Sequence, residues 1–365
     1  MKLNILLGLI SFILISACAS TPKVKNVELV SLWAVDLSSG PQYGSKKHEQ
    51  ASPLIVGDDI FQGSGDGRLA VISKYNGFVK RDVKDPGGVE ASPLFNDGVV
   101  YFGNTQGYVK AFSYRLGDYL WSYYTAHPVV SSPTFCDGRV FVLSSSNVFY
   151  SLDAKTGKVL WSIRKEFPSG IPVVKGGSSP VCYDDVVYVG FSDGSFVGAN
   201  VTTGAIILDK KLATVGKFKD VDATPYIDEK YIIEPSYDGN LYCLDRKSGQ
   251  IVWSIKDGSA KSVTVIGEDI YYSTSDGFLY LIGMVDGSVK WRTKLSKGLP
   301  TAPAIVKNFI VVGSSERGIM LFDKTSGAFI KELNTGTGLL ADPVVDGDDI
   351  LFMSNYGVLY SVRIL

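Results

Sequence analysis

The sequence predicts an all-β fold, and three observations identify it as an eight-bladed β-propeller. The 365-residue chain has 39 glycines, 20 tyrosines and 18 phenylalanines, and it lacks long segments with helical periodicity. A pattern of about 40 residues recurs along most of the chain. Its last copy stops after a third strand, while an unmatched strand-like segment stands near the N-terminus. Short strands and tight turns repeated at this period are typical of propeller blades.

Each repeat opens with a small residue and a proline, continues through three strands, and ends in a fourth strand that carries an aromatic residue. The segments 92–121, 132–161 and 224–253 share this length and these turn positions. The opening position falls at Pro53, Pro93, Pro133, Pro180, Pro225, Val263, Pro303 and Pro343, with spacings of 40, 40, 47, 45, 38, 40 and 40 residues. Eight opening positions predict eight blades.

A glycine precedes the fourth strand in seven repeats, and the fourth-strand aromatic position follows four residues later. Glycine at this place predicts a turn with positive φ. The later position is tryptophan in four of these repeats, and it is Arg81, Leu208 and Lys331 in the other three. We expect the tryptophan to face the neighbouring sheet and to close the gap between blades.

The eighth repeat ends with its third strand, VLYSVRIL, so its fourth strand must come from elsewhere. The segment LVSLWAVDL at 29–37 supplies one, with Trp33 in the aromatic position. Pairing both chain ends closes the ring and removes edges that would otherwise recruit other strands. We therefore expect a propeller over 29–365, closed by the N-terminal strand.

The first residues predict a lipoprotein signal. Lys2 precedes an apolar run at 5–17, which is too short to span a bilayer as a helix. The run ends in Ile-Ser-Ala before Cys18, which resembles the bacterial lipobox. We expect a signal peptide at 1–17, lipidation including palmitate at Cys18, and a tether over 18–28; an ordinary signal peptide with a chance cysteine is the alternative. Ala19, rather than aspartate, follows the cysteine, which by analogy favours the outer membrane and a propeller facing the periplasm.

Composition and motifs argue against several other function classes. The chain has 36 basic and 37 acidic residues and no basic stripe, so nucleic acid is not an expected partner. His48 and His127 form no zinc pattern, and no G-x-S-x-G elbow occurs. The carboxylates at 57–60 and 346–350 stand in predicted hairpin turns, which favours turn chemistry over calcium. We expect no catalytic residue, no metal and no cofactor.

Three cysteines lie far apart in the sequence, at Cys136, Cys182 and Cys243, without metal-ligand spacing. Buried small side chains on strands are the simplest interpretation. A disulfide between two of them in an oxidising periplasm is the open alternative.

Two consecutive connections between repeats are longer than most of the others. Most take 12 residues from the aromatic position to the next opening proline, but these take 19 (to Pro180) and 17 (to Pro225). Insertions on one face of a repeat array often mark its binding face. Lys175 and Asp220 occupy equivalent places in them, five residues before the proline. They could meet a partner or pair with each other at the surface, and Asp220 or Asp222 could instead bond its own backbone in a turn.

The units LDAKTGKVLW and LDRKSGQIVW resemble the tryptophan-docking repeats of quinoprotein dehydrogenases. Enzymes of that family hold pyrroloquinoline quinone over a vicinal cysteine pair, and no two cysteines are adjacent in this sequence. The chain is also much shorter than those enzymes. A degenerate dehydrogenase is therefore kept only as an alternative.

A lipobox, a tether and eight quinoprotein-like blades without the quinone site resemble the BamB family, the lipoprotein subunits of the outer-membrane β-barrel assembly (BAM) machinery. The resemblance covers essentially the whole chain and is closest at 220–253 and in GVLYSVR. It implies a non-catalytic scaffold that binds the periplasmic POTRA repeats of BamA and aids outer-membrane protein assembly. Strands of unfolded outer-membrane proteins adding to blade edges are a further implied partner. A propeller lipoprotein that binds another envelope partner is the alternative.

In that family, the aspartates of D-V-D-x-T-P and an arginine-bearing apolar loop contact BamA. The resemblance places these functions at Asp220 and Asp222, at Lys175 in place of the arginine, and at apolar positions near Pro172 and Val174. Lysine lacks the planar fork of arginine, and proline replaces one apolar residue. The resemblance therefore implies a weaker or rearranged contact by the first loop.

Overall fold

The structure, a computed structural model, describes residues 27–38, 49–166, 177–213, 219–237, 239–295 and 297–365. Within these ranges the structure contains 32 β-strands. The same described residues contain no helix that is long and apolar enough to cross a membrane. The strands form eight four-stranded antiparallel sheets, each a propeller blade. The predicted eight-bladed propeller is confirmed.

Blades 1 to 4 each take four consecutive strands, from the central channel outward. Blade 1 comprises β2 (Leu54–Val56), β3 (Asp59–Ser64), β4 (Arg68–Ser73) and β5 (Val79–Lys84). Blade 2 comprises β6 (Leu94–Asn96), β7 (Val99–Gly103), β8 (Tyr108–Ser113) and β9 (Asp118–Tyr124). Blade 3 comprises β10 (Thr134–Cys136), β11 (Arg139–Ser144), β12 (Val148–Asp153) and β13 (Val159–Arg164). Blade 4 comprises β14 (Val181–Tyr183), β15 (Val186–Gly190), β16 (Ser195–Asn200) and β17 (Ile206–Lys211).

Blades 5 to 7 repeat this order, and blade 8 combines both ends of the chain. Blade 5 comprises β18 (Tyr226–Ile227), β19 (Tyr231–Pro235), β20 (Leu241–Asp245) and β21 (Ile251–Ile255). Blade 6 comprises β22 (Thr264–Ile266), β23 (Asp269–Ser273), β24 (Phe278–Gly283) and β25 (Val289–Lys294). Blade 7 comprises β26 (Ala304–Val306), β27 (Phe309–Gly313), β28 (Gly318–Asp323) and β29 (Phe329–Asn334). Blade 8 comprises β30 (Val344–Asp346), β31 (Asp349–Met353), β32 (Val358–Ile364) and β1 (Leu29–Asp36).

The closing strand is the predicted N-terminal one. β1 pairs antiparallel with β32, from Leu29 opposite Ile364 to Asp36 opposite Val358. Reciprocal hydrogen bonds of 3.1 and 2.9 Å between the backbones of Glu28 and Leu365 extend the ladder. The register confirms closure of the ring by pairing both chain ends.

The hydrophobic core lies between neighbouring blades because the two central strands of each blade are buried on both faces. Phe61 and Val71 of blade 1, for example, pack with Val100 and Phe112 of blade 2. The fourth strands alternate between exposed and half-buried residues, as expected for the outer rim.

The fourth-strand tryptophans join each blade to the next. Trp121 Nε1 donates a 2.9 Å hydrogen bond to the Ala154 carbonyl, and a Cβ on Gly157 would lie 2.6 Å from the indole. Gly157 has φ +69°, and the other six glycines at this turn also have positive φ, so both predictions are confirmed. Arg81, in the tryptophan position of blade 1, donates a 3.0 Å hydrogen bond to the Tyr114 carbonyl, the equivalent acceptor.

The inner ends of the blades are joined around the channel by an inner ring of hydrogen bonds. In each, the backbone N–H just before the opening proline donates to the side-chain oxygen at the same position of the next blade. They run from Ser52 to Ser92 (2.9 Å), Ser132 to Ser179 (3.0 Å), Thr224 to Ser262 (3.1 Å), Ala302 to Asp342 (2.9 Å) and Asp342 to Ser52 (2.9 Å).

Candidate functional site

The candidate site consists of the two long connections on either side of blade 4. Lys175, Val174 and Pro172 lie in 167–176, outside the described residues, as does Cys18. The structure describes the end of the first connection, 177–180, and the end of the second, 219–224. Asp220 and Asp222 belong to the second.

Val221 anchors the D-V-D segment in the core. Its side chain is fully buried and packs with Ile232 and Leu244 of blade 5. Its N–H donates a 3.2 Å hydrogen bond to the Phe191 carbonyl. A Cβ on Gly190 would lie 2.2 Å from the Val221 carbonyl oxygen, so the segment can approach blade 4 only because that strand ends in glycine.

Both aspartates are buried. Asp220 is 1% exposed and Asp222 is 9% exposed. The Asp220 carbonyl accepts a 3.0 Å hydrogen bond from the Tyr237 N–H, which ties the segment to blade 5. The Asp222 side chain lines the central channel. Asp220 is therefore not a surface residue, and its pairing with Lys175 cannot be described because Lys175 lies outside the described residues.

A third acidic residue, Glu234 on β19, joins the aspartates and was missed in the sequence. It is fully buried, and neither its carboxylate oxygens nor Asp222 Oδ2 have a hydrogen-bond partner among the described residues. Burial, and then the charge of Asp222, raise the pKa of Glu234 well above its ordinary value. The sequence does mark this residue, because Glu234 interrupts an apolar strand at the position that Phe102 occupies in blade 2 and Val142 in blade 3.

Burial also raises the pKa of Asp222 well above its ordinary value, and the charge of Asp220 adds to the effect. The local environment therefore favours the protonated form of Asp222 and Glu234. A protonated carboxyl can donate a hydrogen bond, whereas a carboxylate can only accept one. Among the described residues, no group of His, Cys, Asp and Glu side chains is arranged to hold a metal ion.

Ser178 joins the two connections directly. Its hydroxyl donates a 2.8 Å hydrogen bond to the Ala223 carbonyl and accepts a 3.1 Å bond from the Gly190 N–H. At the outer rim, where the connections leave their blades, Lys165 Nζ lies 2.6 Å from Asp209 Oδ2. The described ends of the two connections are therefore held side by side.

The central channel contains a cavity of about 580 Å³ beside these connections. Its wall includes Gly177 from the first connection and Asp222 from the second. Across the channel, Lys261 Nζ lies 3.0 Å from Asp342 Oδ1 and donates a 2.7 Å hydrogen bond to the Leu340 carbonyl. The cavity wall thus combines charged and small polar groups with apolar ones such as Leu340.

Comparisons with known proteins agree with this architecture. The family model described as outer membrane protein assembly factor BamB matches residues 80–293. The protein of that name from Salmonella typhimurium is 28% identical over 97% of this chain and 97% of its own length. The one from Legionella pneumophila is 27% identical over 53% of this chain and 52% of its own length, so that alignment spans about half of each protein.

The crystal structure of BamB from Moraxella catarrhalis has a TM-score of 0.80 with this chain at 20% identity. That match covers 92% of this chain and 100% of the crystal chain, and it shows that the two share their fold. The family model covers more than half of the chain, and the eight blades and the ring closure have the arrangement predicted from the repeats. The chain belongs to the family of the outer membrane protein assembly factor BamB.

Proposed function

We propose that this chain is a non-catalytic scaffold lipoprotein of the outer-membrane β-barrel assembly machinery. It binds the periplasmic POTRA region of BamA and aids the assembly and insertion of outer-membrane proteins. Family membership carries this proposal, and the names of the relatives agree with it. A lipid on Cys18 anchors the propeller at the outer membrane, facing the periplasm.

We assign the BamA contact to the paired connections on either side of blade 4. Lys175, Val174 and Pro172 supply direct contacts from the first connection. Asp220 and Asp222 belong to the second connection. Because they are buried, they contribute by holding that connection in the conformation that binds BamA. The Ser178–Ala223 hydrogen bond supports a single binding surface built from both.

Co-purification of BamA from detergent-solubilised envelopes tests the assignment. Lys175→Glu reverses a charge in the first connection and is expected to lower BamA recovery. Lys297→Glu makes the same change at an exposed lysine in the connection before blade 7, and it is expected to leave recovery unchanged.

The isosteric pair Asp220→Asn with Asp222→Asn tests the second connection at constant volume. We expect reduced BamA recovery with the melting temperature preserved within a few degrees. Wild-type recovery in both this double variant and Lys175→Glu would remove the site assignment. If the wild-type chain recovers another envelope protein but not BamA, that protein takes the place of BamA as the proposed partner.

A second role, binding of unfolded outer-membrane protein strands, is favoured by the outer strands of the blades. In five blades the residue directly before the fourth-strand aromatic position is apolar and exposed. These residues are Leu32, Leu120, Leu160, Ile207 and Val252. Edge strands of this kind accept an added strand through backbone hydrogen bonds. Photocrosslinking from position 160, compared with position 292 on the outer strand of blade 6, tests this role; equal client capture at both positions would contradict it.

A further inference from the structure

Cys136 and Cys182 are neighbours in the fold although 46 residues separate them in the sequence. They lie on β10 and β14, the innermost strands of blades 3 and 4. Their side chains are close enough to interact, and both are half-buried. Both pack against the same cluster between the two blades, which includes Phe141 and Val189.

The register of the two strands explains this contact. The Thr134 hydroxyl donates to the Pro180 carbonyl, which fixes β10 against the start of β14. Two residues further along each strand are Cys136 and Cys182. Side chains alternate along a strand, so Phe135 packs towards blade 2 while Cys136 packs towards blade 4.

Several other blade interfaces have larger, mainly apolar side chains at these two positions. Equivalent residues packed in one cluster are Val56 with Phe95, Tyr183 with Ile227, and Val306 with Val345. Packing alone therefore does not call for cysteine at this place. Two thiols in contact add a chemistry that the apolar pairs lack.

We propose that Cys136 and Cys182 are a redox pair that a disulfide oxidant converts into a covalent bond between blades 3 and 4. The Cys136 thiolate attacks the oxidant, forms a mixed disulfide and releases one thiol. The Cys182 sulfur, after losing its proton to solvent, then attacks Cys136 Sγ and releases the second thiol. The protein loses two protons and two electrons, and the oxidant disulfide is reduced to two thiols.

Access and acidity fix the order of these steps. Thr134 and Val181, each within two residues of a cysteine of the pair, line the channel cavity, which gives a small oxidant a route to the pair. Burial, followed by the hydrogen bond with Cys136, raises the pKa of the Cys182 thiol. Because the thiolate is the attacking species, the raised pKa disfavours Cys182 as the first nucleophile and slows oxidation.

The bond would close a loop that contains most of blade 3 and the whole first connection, 165–180. Cross-linking residues this far apart restricts the unfolded chain and stabilises the fold. Oxidation is therefore expected to raise the melting temperature, and a dithiol reductant is expected to reverse the rise.

The experiment treats the purified full chain with oxidised glutathione, followed by alkylation, tryptic digestion and mass spectrometry. We expect peptides 116–139 and 176–210 to appear as one disulfide-linked species that dithiothreitol separates. The Cys243→Ala variant is the matched control, because Cys243 is fully buried in blade 5, and it is expected to form the same linked species.

Cys136→Ala and Cys182→Ala are expected to lack the linked species and the reversible rise in melting temperature. Folding of each variant is checked by circular dichroism, since alanine keeps an apolar side chain at each position. The proposal is overturned if the folded wild-type chain keeps both thiols alkylatable, or if it carries glutathione on Cys136 without the 136–182 bond.

Discussion

The hydroxyl of Ser178 donates a 2.8 Å hydrogen bond to the carbonyl oxygen of Ala223, and it thereby joins two connections that lie 45 residues apart in the sequence. The same hydroxyl accepts from the Gly190 N–H at the end of a central strand of blade 4. One fully buried side chain thus holds the exit of the first connection, a blade strand and the D-V-D-A-T-P segment together.

Ser178→Ala should weaken both the fold and the partner contact. The change leaves the buried Gly190 N–H and Ala223 carbonyl without this bond, at a cost of about 1–2 kcal/mol in the free energy of unfolding. The fold should survive, since Ala51, Ala91 and Ala341 occupy the equivalent position in other blades. Urea unfolding and BamA co-purification measure the two effects.

Ser131→Ala is the matched control for this variant. Ser131 is equally buried, but its hydroxyl bonds only to Leu143 of its own blade, at 2.9 and 3.1 Å. It should lose similar stability while BamA recovery stays at the wild-type level. Equal loss of BamA in both variants would show that general destabilisation, rather than the link between connections, controls binding.

Glu234→Gln should stabilise the protein increasingly as pH rises. The folded state raises the pKa of Glu234, so between the ordinary value near 4.5 and the folded value it holds a proton that the unfolded state has lost. Wild-type stability therefore falls as pH rises through this window, whereas glutamine does not titrate. Urea unfolding at pH 4 and pH 8 should give similar stabilities at pH 4 and a more stable variant at pH 8.

Gln62 shows that glutamine fits this position. It is the equivalent residue of blade 1, and its Nε2 donates to the carbonyls of Ala51 (2.8 Å) and Gly63 (2.7 Å). Glu229→Gln makes the same chemical change at an exposed glutamate of the same blade and serves as the control. If the free energy of unfolding of Glu234→Gln changes with pH in parallel with that of the wild type, the prediction is wrong.

Arg81→Trp should stabilise the junction between blades 1 and 2 by about 1 kcal/mol, because it adds buried apolar area at a site shaped by Gly117. An indole N–H there can reach the Tyr114 carbonyl that the Arg81 guanidinium now uses. Arg81→Ala removes both the contact and the hydrogen bond and should lower the melting temperature. A tryptophan variant that melts no higher than the alanine variant would contradict this expectation.

Deletion of residues 27–37 should abolish cooperative unfolding, since it removes the strand that closes the ring. Trp33→Ala keeps that strand but loses the 3.0 Å hydrogen bond to the Lys74 carbonyl and the contact with Gly77. It should cost about 2 kcal/mol, less than a fully buried tryptophan, and leave one sharp transition. Differential scanning calorimetry distinguishes the two, and an unchanged transition in the deletion variant would contradict the closure.

The repeat spacing was enough to predict the blades, because each opening proline and each turn glycine marks a fixed place in a strand order. The closing strand followed from a missing fourth strand. The burial of Asp220 did not follow, because a polar segment before Thr-Pro has the composition of a surface loop. The segment is held by Phe191 of blade 4, whose carbonyl accepts from the Val221 N–H, and by Tyr237 of blade 5, whose N–H donates to the Asp220 carbonyl.

Two other features depend on which residues the fold brings together, and this cannot be read from the sequence. Glu234 stood out as a charge in an apolar strand, but its proximity to Asp222 arises only when β19 lies beside the second connection. Cys136 and Cys182 occupy non-equivalent positions, three and two residues after the opening prolines of their blades. Because the connection between their blades is longer than usual, the sequence did not show that Cys136 faces blade 4 and Cys182 faces blade 3.

The closure of blade 8 by β1 also bears on the proposed attachment to a membrane. Val27 leaves the outer rim of blade 8, and in a ring of eight blades the opposite blade is blade 4, which the two long connections flank. Cys18 and Val27 are nine positions apart, a reach of about 30 Å when extended. A lipid on Cys18 would therefore hold the propeller by one rim and turn the opposite rim away from the bilayer, so that the tether sets the orientation in which the connections meet a periplasmic partner.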